Sequence, residues 1–335
     1  ERDGRIGAEC RAAGLTVYAP VPDAAAFAQC LGIEQPDLVI SHYSGIGAPA
    51  ASRRGIPVVD VLHNAYIWAA PAEHEAIRKN AAYVSKYVAV SEFVRRYAMA
   101  KYGIAESRIV AAPNGIDADS LMEAAGRPPR VTRASLGIDS QAYVFVQVGS
   151  FYGTKAQAHS VSAMARIARQ FPHARLVLVG SQDDRAYTDF VQQHIRRLGV
   201  EDRVLVRGET DSIADYYRLA DAFLLSSLTE GWSLAMNEAM LFGLPMILTA
   251  VGGAAEVIED EDIGLLVPAA YRDPREIGAA DLWSLCTNPQ PPNLGALASA
   301  MGRFCAAPEE WRERGQRGKN KVLERLTIDA ATRRL

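Results

Sequence analysis

The sequence predicts an α/β protein made of two parallel-sheet domains, and three observations carry that reading. First, 335 residues suit two domains better than one at ~100–200 residues per domain. Second, short runs rich in Val, Ile and Leu alternate with helix-like stretches along the chain. The runs are nearly continuous in apolar residues rather than alternating, as expected of parallel strands covered on both faces. Third, the stretches between them are long enough for crossover helices, so βαβ units follow.

The first strand series is expected at residues 15–19, 37–41, 57–62, 87–90 and 109–112. The second is expected at 143–148, 175–180, 203–207, 222–226, 245–249 and 264–267. Helices between them carry readable ends. Ser91 precedes the amphipathic stretch 92–101 and Gly103 closes it. A helix over 155–171 stops before Pro172, another over 183–198 is closed by Gly199, and Ser233 caps 234–242 with Gly243 at its exit. The turn Pro113-Asn114-Gly115-Ile116-Asp117 and the polar segment 123–133, with Gly126, Pro128 and Pro129, separate the series. The expected division is therefore an N-terminal domain over 1–135, a C-terminal domain over 136–310 and a helical tail over 311–335. The tail is placed to return toward the first domain.

Composition narrows the function. Hydrophobic residues at 49% and charged residues at 22% exclude a disordered or fibrous chain. A net charge of −3 argues against a nucleic-acid binder. Cys10, Cys30, Cys286 and Cys305 are widely spaced and read as reduced thiols. No apolar run reaches the ~18 residues of a membrane span. No metal-binding cluster, G-x-S-x-G or G-x-G-x-x-G is present.

Four segments carry chemistry. Glu230-Gly231-Trp232-Ser233-Leu234, continuing to Glu238 and Gly243-Leu244-Pro245, follows the strand 222–226 and opens a helix. Glu230 then lies at a strand's C-terminal end, where open α/β sheets bind ligands. Gly231 admits a ligand to the backbone, and the first-turn amides suit phosphate. Glu238 suits two vicinal hydroxyls such as those of ribose. In Gly149-Ser150-Phe151-Tyr152-Gly153-Thr154-Lys155, Lys155 starts a helix and can reach a diphosphate as a point charge, although the pattern is not a Walker loop. His63, in Leu62-His63-Asn64, reads as a group facing substrate or as a structural hydrogen-bonder. Gly252-Gly253 followed by Glu256 reads as a ligand-facing loop or as a turn with a capping carboxylate. On the helix 92–101, Arg95, Arg96 and Lys101 with Phe93, Val94 and Tyr97 read as a solvated basic face or as a peripheral membrane contact.

Taken in order, these segments resemble the retaining glycosyltransferases of family four, the glycogen-synthase-like and mannosyltransferase-like group. The signature Glu230-x7-Glu238, the exit Gly-Leu-Pro, Gly252-Gly253 with Glu256, the approach 220–227 and the turn 113–117 carry the likeness, which spans about 32–325. The resemblance implies a GT-B fold, with two Rossmann-like doubly wound parallel-sheet domains facing a cleft. It implies that Glu238 binds ribose, Lys155 the diphosphate and Glu230 the donor sugar, with Gly231, Trp232, Ser233 and Leu234 near phosphate or sugar. Gly149 and Ser150 would border the donor, Arg207 and Gly208 would lie near the base, and His63 would face the reacting centre across the cleft. His63, Lys155 and Glu230 are the catalytic candidates.

In the family an Arg commonly stands where Ser150 follows Gly149, so one diphosphate cation is missing here or comes from elsewhere. The family's first strand and glycine-rich turn have no counterpart, and residues 1–31 look like a later βα unit. With a chain that opens Glu1-Arg2-Asp3, the N-terminal domain is expected to lack its first βα unit or units, which a longer chain would supply. The implied partners are a nucleotide-sugar donor and a glycan or lipid-linked acceptor, with no nucleic acid, no metal and no further cofactor. The implied setting is cytoplasmic, including the inner face of the membrane. A GT-B nucleotide-sugar epimerase and a non-catalytic nucleotide-sugar-binding scaffold stand as the alternatives.

Overall fold

A computed structural model describes residues 5–19, 21 and 23–333. The opening Glu1-Arg2-Asp3 lies outside them. The first half runs α1 (Arg5–Ala12), α2 (Ala24–Glu34), β1 (Val39–His42), α3 (Ala48–Ser52), β2 (Val58–Leu62), α4 (Pro71–Asn80), β3 (Lys86–Ala89), α5 (Glu92–Tyr102), β4 (Ile109–Ala111) and α6 (Ala118–Gly126). Its four strands are parallel and lie in sequential order.

The second half runs β5 (Tyr143–Val148), α7 (Gln157–Ile167), β6 (Ala174–Val179), α8 (Arg185–Leu198), β7 (Val204–Arg207), α9 (Ile213–Leu219), β8 (Ala222–Leu225) and α10 (Leu234–Leu241). It continues through β9 (Met246–Thr249), α11 (Ala254–Val257), β10 (Gly264–Val267), α12 (Ala279–Cys286), α13 (Leu294–Ala306), α14 (Pro308–Arg325) and α15 (Ile328–Thr332). The six parallel strands are ordered β10-β9-β8-β5-β6-β7. The chain therefore winds outward from β5 in one direction and from β8 in the other. The crevice between the C-terminal ends of β5 and β8 is the topological switch point, where such sheets hold ligands.

The expected apolar runs become these strands because helices cover both faces. β8 and β9 are buried at every residue, as continuous apolar sequence requires. One run does not become a strand: residues 15–19 are irregular and mostly exposed. Among the described residues β1 is the edge strand of the first sheet and pairs with β2, and the run does not add to that edge.

The helix ends agree with the sequence signals in three cases. The Ser91 side chain caps α5 by accepting from the Val94 amide, Gly199 closes α8 in the left-handed region, and Ser233 caps α10 at Met236. The fourth differs. The helix expected from 155 begins at Gln157, because Gly153–Lys155 forms a 3-10 turn and Ala156 is left-handed at φ 51°.

The chain passes between the halves at two places. Past α6, the Arg130 and Val131 amides both donate to the buried Asp215 carboxylate, and the Arg133 guanidinium bonds Asp221 at 2.7 Å. At the other end, α14 lies on α10 and the chain then crosses to the first half. The Ile116 amide donates to the Leu326 carbonyl and the Ile328 amide to the Ile116 carbonyl. Among the described residues no helix is long and apolar enough to cross a membrane, and no disulfide forms.

Candidate active site

The crevice is built first from backbone. After β5, the loop 149–156 is fastened from below by buried polar side chains. Gln147 Nε2 donates to the Lys155 carbonyl at 2.8 Å and Ser226 Oγ to the Ala156 carbonyl at 2.9 Å. Gln157 Nε2 donates to the Ser150 carbonyl at 3.0 Å, and Ser160 joins Gln147 and Ser226 at 2.6 and 2.9 Å. A left-handed alanine costs ~1–2 kcal/mol; this clamp holds Ala156 there and aims Lys155 back into the crevice.

Lys155 Nζ meets Glu230 Oε1 at 2.7 Å, and Ser227 Oγ donates to the same oxygen at 2.8 Å. The Glu230 side chain is 7% exposed and that of Lys155 is 32% exposed. A buried carboxylate is costly unless it is paired and hydrogen-bonded, and Lys155 and Ser227 provide both. One turn into α10, Glu238 Oε2 accepts from the Tyr217 hydroxyl at 2.7 Å. Tyr217 is fully buried, and burial with the adjacent Glu238 charge raises its pKa strongly, so it stays a donor.

At Gly231 the two halves approach closely. A Cβ there would lie 1.8 Å from the His63 carbonyl oxygen and 2.8 Å from Val90. Beside it Thr229 Oγ1 donates to Asn64 Oδ1 at 2.9 Å. The Gly253 amide donates to the Gly231 carbonyl at 3.0 Å, and a Cβ on Gly253 would strike the Trp232 ring. Trp232 Nε1 donates to Asn237 Oδ1, and Asn237 Nδ2 to the Asn114 carbonyl, so the turn 113–117 is fixed to the same loop. Leu234 opens α10 at the surface.

At the ends of β1 and β2, His42 Nδ1 and His63 Nε2 are 2.7 Å apart. Tyr43 stacks on the His63 ring with centroids 4.4 Å apart, and the Tyr66 hydroxyl accepts from the His63 amide at 3.1 Å. Partial burial, then the neighbouring His42, lower the His63 pKa.

The four segments singled out in the sequence thus converge, with differences. Lys155 meets Glu230, Gly149 lies beside the Lys155 side chain, Gly231 lies against His63 and Gly252 against Glu230, Ser150 is held by Gln157, and Trp232, Ser233, Leu234 and Glu238 follow in the same loop and helix. Lys155 sits in the 3-10 turn ahead of its helix rather than at the helix start. Arg207 and Gly208 end β7, the far edge strand, and no hydrogen bond or ion pair among the described residues links them to Lys155, Glu230 or Glu238. The Glu256 carboxylate is a cap, but for a helix of the other half: Oε1 accepts from the Phe93 amide at 3.2 Å in the first turn of α5. On α5 itself, Val94 and Tyr97 are buried in the core, and Arg95 and Arg96 both pair with Glu92.

Sequence reasoning missed His42, Tyr217 and Ser227. The rule that selected His63, a polar residue at a parallel strand's C-terminal end, also selects His42. Nothing local marks Tyr217.

The fold and this crevice define a GT-B protein. A family model described as "Glycosyl transferases group 1" matches residues 130–282, and one described as "Glycosyltransferase Family 4" matches residues 7–120. The chain belongs to the family-four glycosyltransferases. It is 31% identical over 303 residues to the D-inositol 3-phosphate glycosyltransferase of Kineococcus radiotolerans, covering 81% of this chain and 66% of that one. It is 35% identical over 130 residues to the N-acetyl-alpha-D-glucosaminyl L-malate synthase of Bacillus anthracis, covering 39% and 33%. The chain thus spans less than two thirds of the length of these curated relatives. Among solved structures, Anabaena Alr3699/HepE in complex with UDP-glucose superposes with TM-score 0.78 at 19% identity, covering 99% of this chain and 88% of that one. A glycosyltransferase from Rickettsia africae superposes with TM-score 0.76 at 17% identity, covering 99% and 86%.

Proposed function

We propose that the chain is a retaining glycosyltransferase that moves a sugar from a nucleoside-diphosphate sugar to a glycan, lipid-linked or small-molecule acceptor. The observation that carries this reading is the switch-point constellation: Lys155 paired to Glu230 at 2.7 Å, with Glu238 oriented by Tyr217 one turn into the adjoining helix. Glu238 keeps one carboxylate oxygen for the ribose hydroxyls. Lys155 and the N-terminus of α10 stabilise the departing diphosphate electrostatically. Glu230 accepts from donor-sugar hydroxyls, and Gly231–Leu234 line the phosphate or sugar. His63, held neutral by its lowered pKa, faces the reacting centre, and Arg207 and Gly208 border the base. The acceptor attacks from the face the diphosphate leaves, and the leaving phosphate takes the acceptor's proton. The UDP-glucose held by the Anabaena neighbour supports this class of donor. No metal and no further cofactor is needed.

The test is product analysis with UDP-, GDP- and ADP-sugars, each with and without acceptor. The expected outcome is a new glycoside with the donor's anomeric configuration. Epimerised donor without acceptor, or donor binding with no product from the full chain, contradicts the proposal. Lys155→Ala and Glu238→Ala should each cut turnover at least about tenfold, the effect of losing some 1.4 kcal/mol. Wild-type rates in both would remove these residues from the site.

A further inference from the structure

Lys155 and Glu230 stand on two separate loops, and one segment outside the crevice touches both loops. Residues 271–290 run from just past β10 through α12 to the loop before α13. Near its start the Tyr271 hydroxyl donates to the Leu228 carbonyl at 2.8 Å, in the loop that carries Glu230. Further along, α12 lies on the turn Gly153–Lys155. A Cβ on Gly153 would stand 2.9 Å from both Cβ and Sγ of Cys286 and 3.1 Å from the Trp283 ring, so the packing admits glycine alone. Trp283 also meets Tyr152 edge to face, with centroids 5.5 Å apart. The two loops are joined to each other where the Leu228 amide donates to the Thr154 carbonyl at 2.8 Å.

The far end of the segment is held by buried polar side chains of α7 and α8. His159 Nε2 donates to the Leu285 carbonyl at 2.9 Å, and Ser162 Oγ donates to the Pro289 carbonyl at 2.9 Å. That uses the Ser162 proton, so His194 Nε2, 2.7 Å away, donates to the Ser162 oxygen. His159, Ser162 and His194 are all buried. A carbonyl only accepts, so His159 keeps its proton on Nε2. Burial lowers its pKa to about 4, and the ring stays a neutral donor. His159 lies in the first turn of α7 beside Gln157, which bonds the Ser150 carbonyl. One helix start therefore holds the lysine loop from within and α12 from outside.

We infer that residues 271–290 form a positioning strap that sets Lys155 against Glu230, and that Tyr271 and His159 are positioning residues for the donor diphosphate, acting through Lys155. This rests on the transferase reading above, in which Lys155 holds the diphosphate. A fixed charge serves an anion best when its place is set before binding, and the strap supplies that from outside the crevice. Calorimetry on the full chain would titrate UDP, GDP and ADP into the wild type, Tyr271→Phe, His159→Ala and His159→Gln, each also combined with Lys155→Ala. For the diphosphate that binds the wild type, Tyr271→Phe and His159→Ala should each weaken affinity at least about threefold. His159→Gln, whose side-chain amide can still donate to Leu285, should restore it to within about twofold. In the Lys155→Ala background the same substitutions should change affinity by less than about twofold, because residues acting through one group are not additive whereas a general loss of packing would be. Equal losses with and without Lys155, or wild-type affinity in both Tyr271→Phe and His159→Ala, overturn the inference. Tyr271→Phe removes a single hydroxyl and carries the test alone if His159→Ala does not fold. Wild-type affinity in Lys155→Ala, or no binding of any diphosphate, removes the donor-site reading, and the strap's role falls with it.

Discussion

Around Glu230 the ligand-facing groups are anchored by buried partners; around His63 the corresponding groups stand in the open. On the second half, Lys155 is held by a clamp of Gln147, Gln157, Ser160 and Ser226, all four buried. The sheet beneath has a switch point and helices on both faces. On the first half, β1 is the edge strand among the described residues and alternates between half-buried and exposed, with Ile40 at 57% exposure and Tyr43, just after it, at 74%. His42 is exposed and reaches its partner from that edge. Under the proposed function the contrast matches two tasks. A site for one kind of anionic donor gains from fixed charges whose reorganisation is complete before binding. A site for a variable acceptor is defined by a few side chains on loops, where substitution leaves the scaffold intact.

This comparison breaks most severely where the halves touch. Gly231→Ala places a methyl group 1.8 Å from the His63 carbonyl oxygen. Overpacking costs ~1–3 kcal/mol, and here it separates donor groups from His63. The expected result is a transfer rate reduced by about ten- to a hundredfold with a lowered melting temperature. Gly32→Ala in α2, whose Cβ meets nothing within 4 Å, serves as the neutral control. Equal behaviour of the two variants would show that the contact at Gly231 is not needed.

A smaller effect sharpens the donor side alone. Tyr217→Phe removes only the hydroxyl that orients Glu238, a hydrogen bond to a charged group worth ~1.5–3 kcal/mol. Donor KM should rise several-fold while acceptor KM stays fixed. A change in acceptor KM instead would place Tyr217 outside donor binding.

The smallest effect concerns the latch between the halves. Partial burial against α5 pushes the Glu256 carboxyl above its usual 4.5, although the backbone amides of that helix oppose the rise. The folded state therefore binds this proton more tightly than the unfolded chain. The stability this group contributes is full below about pH 4.5 and lost as pH rises through the raised value. Against Glu256→Gln, the wild-type advantage in melting temperature should shrink between pH 4 and pH 7. A cap is worth ~1 kcal/mol, so a shift of a few degrees is the scale. An advantage that widens with pH would contradict the raised pKa of this carboxyl.

The same contrast explains what the sequence could reveal. The signature 230–245 lies within one strand-loop-helix unit, so its parts were legible together, and β5 to β10 appear where continuous apolar runs predict them. The run 15–19 has the composition of a strand, but whether a run joins a sheet is decided by its packing against the rest of the chain, which composition does not carry. Lys155 was legible as a cation near a glycine loop. Its position ahead of α7 follows from Ala156, whose left-handed backbone depends on Gln147 and Ser226 from other elements. His42, Tyr217 and the reach of Glu256 to Phe93 exist only once strands and halves are side by side.

The claim that the second half holds a nucleotide-sugar through its switch-point carboxylate and lysine is tested most directly by calorimetry. UDP-, GDP- and ADP-sugars would be titrated into the wild type, Glu238→Ala and Lys155→Ala. One nucleotide class should bind the wild type at a single site, with affinity at least about tenfold weaker in each variant, a loss of some 1.4 kcal/mol. Unchanged affinity in both variants, or no binding of any donor to the wild type, would contradict it.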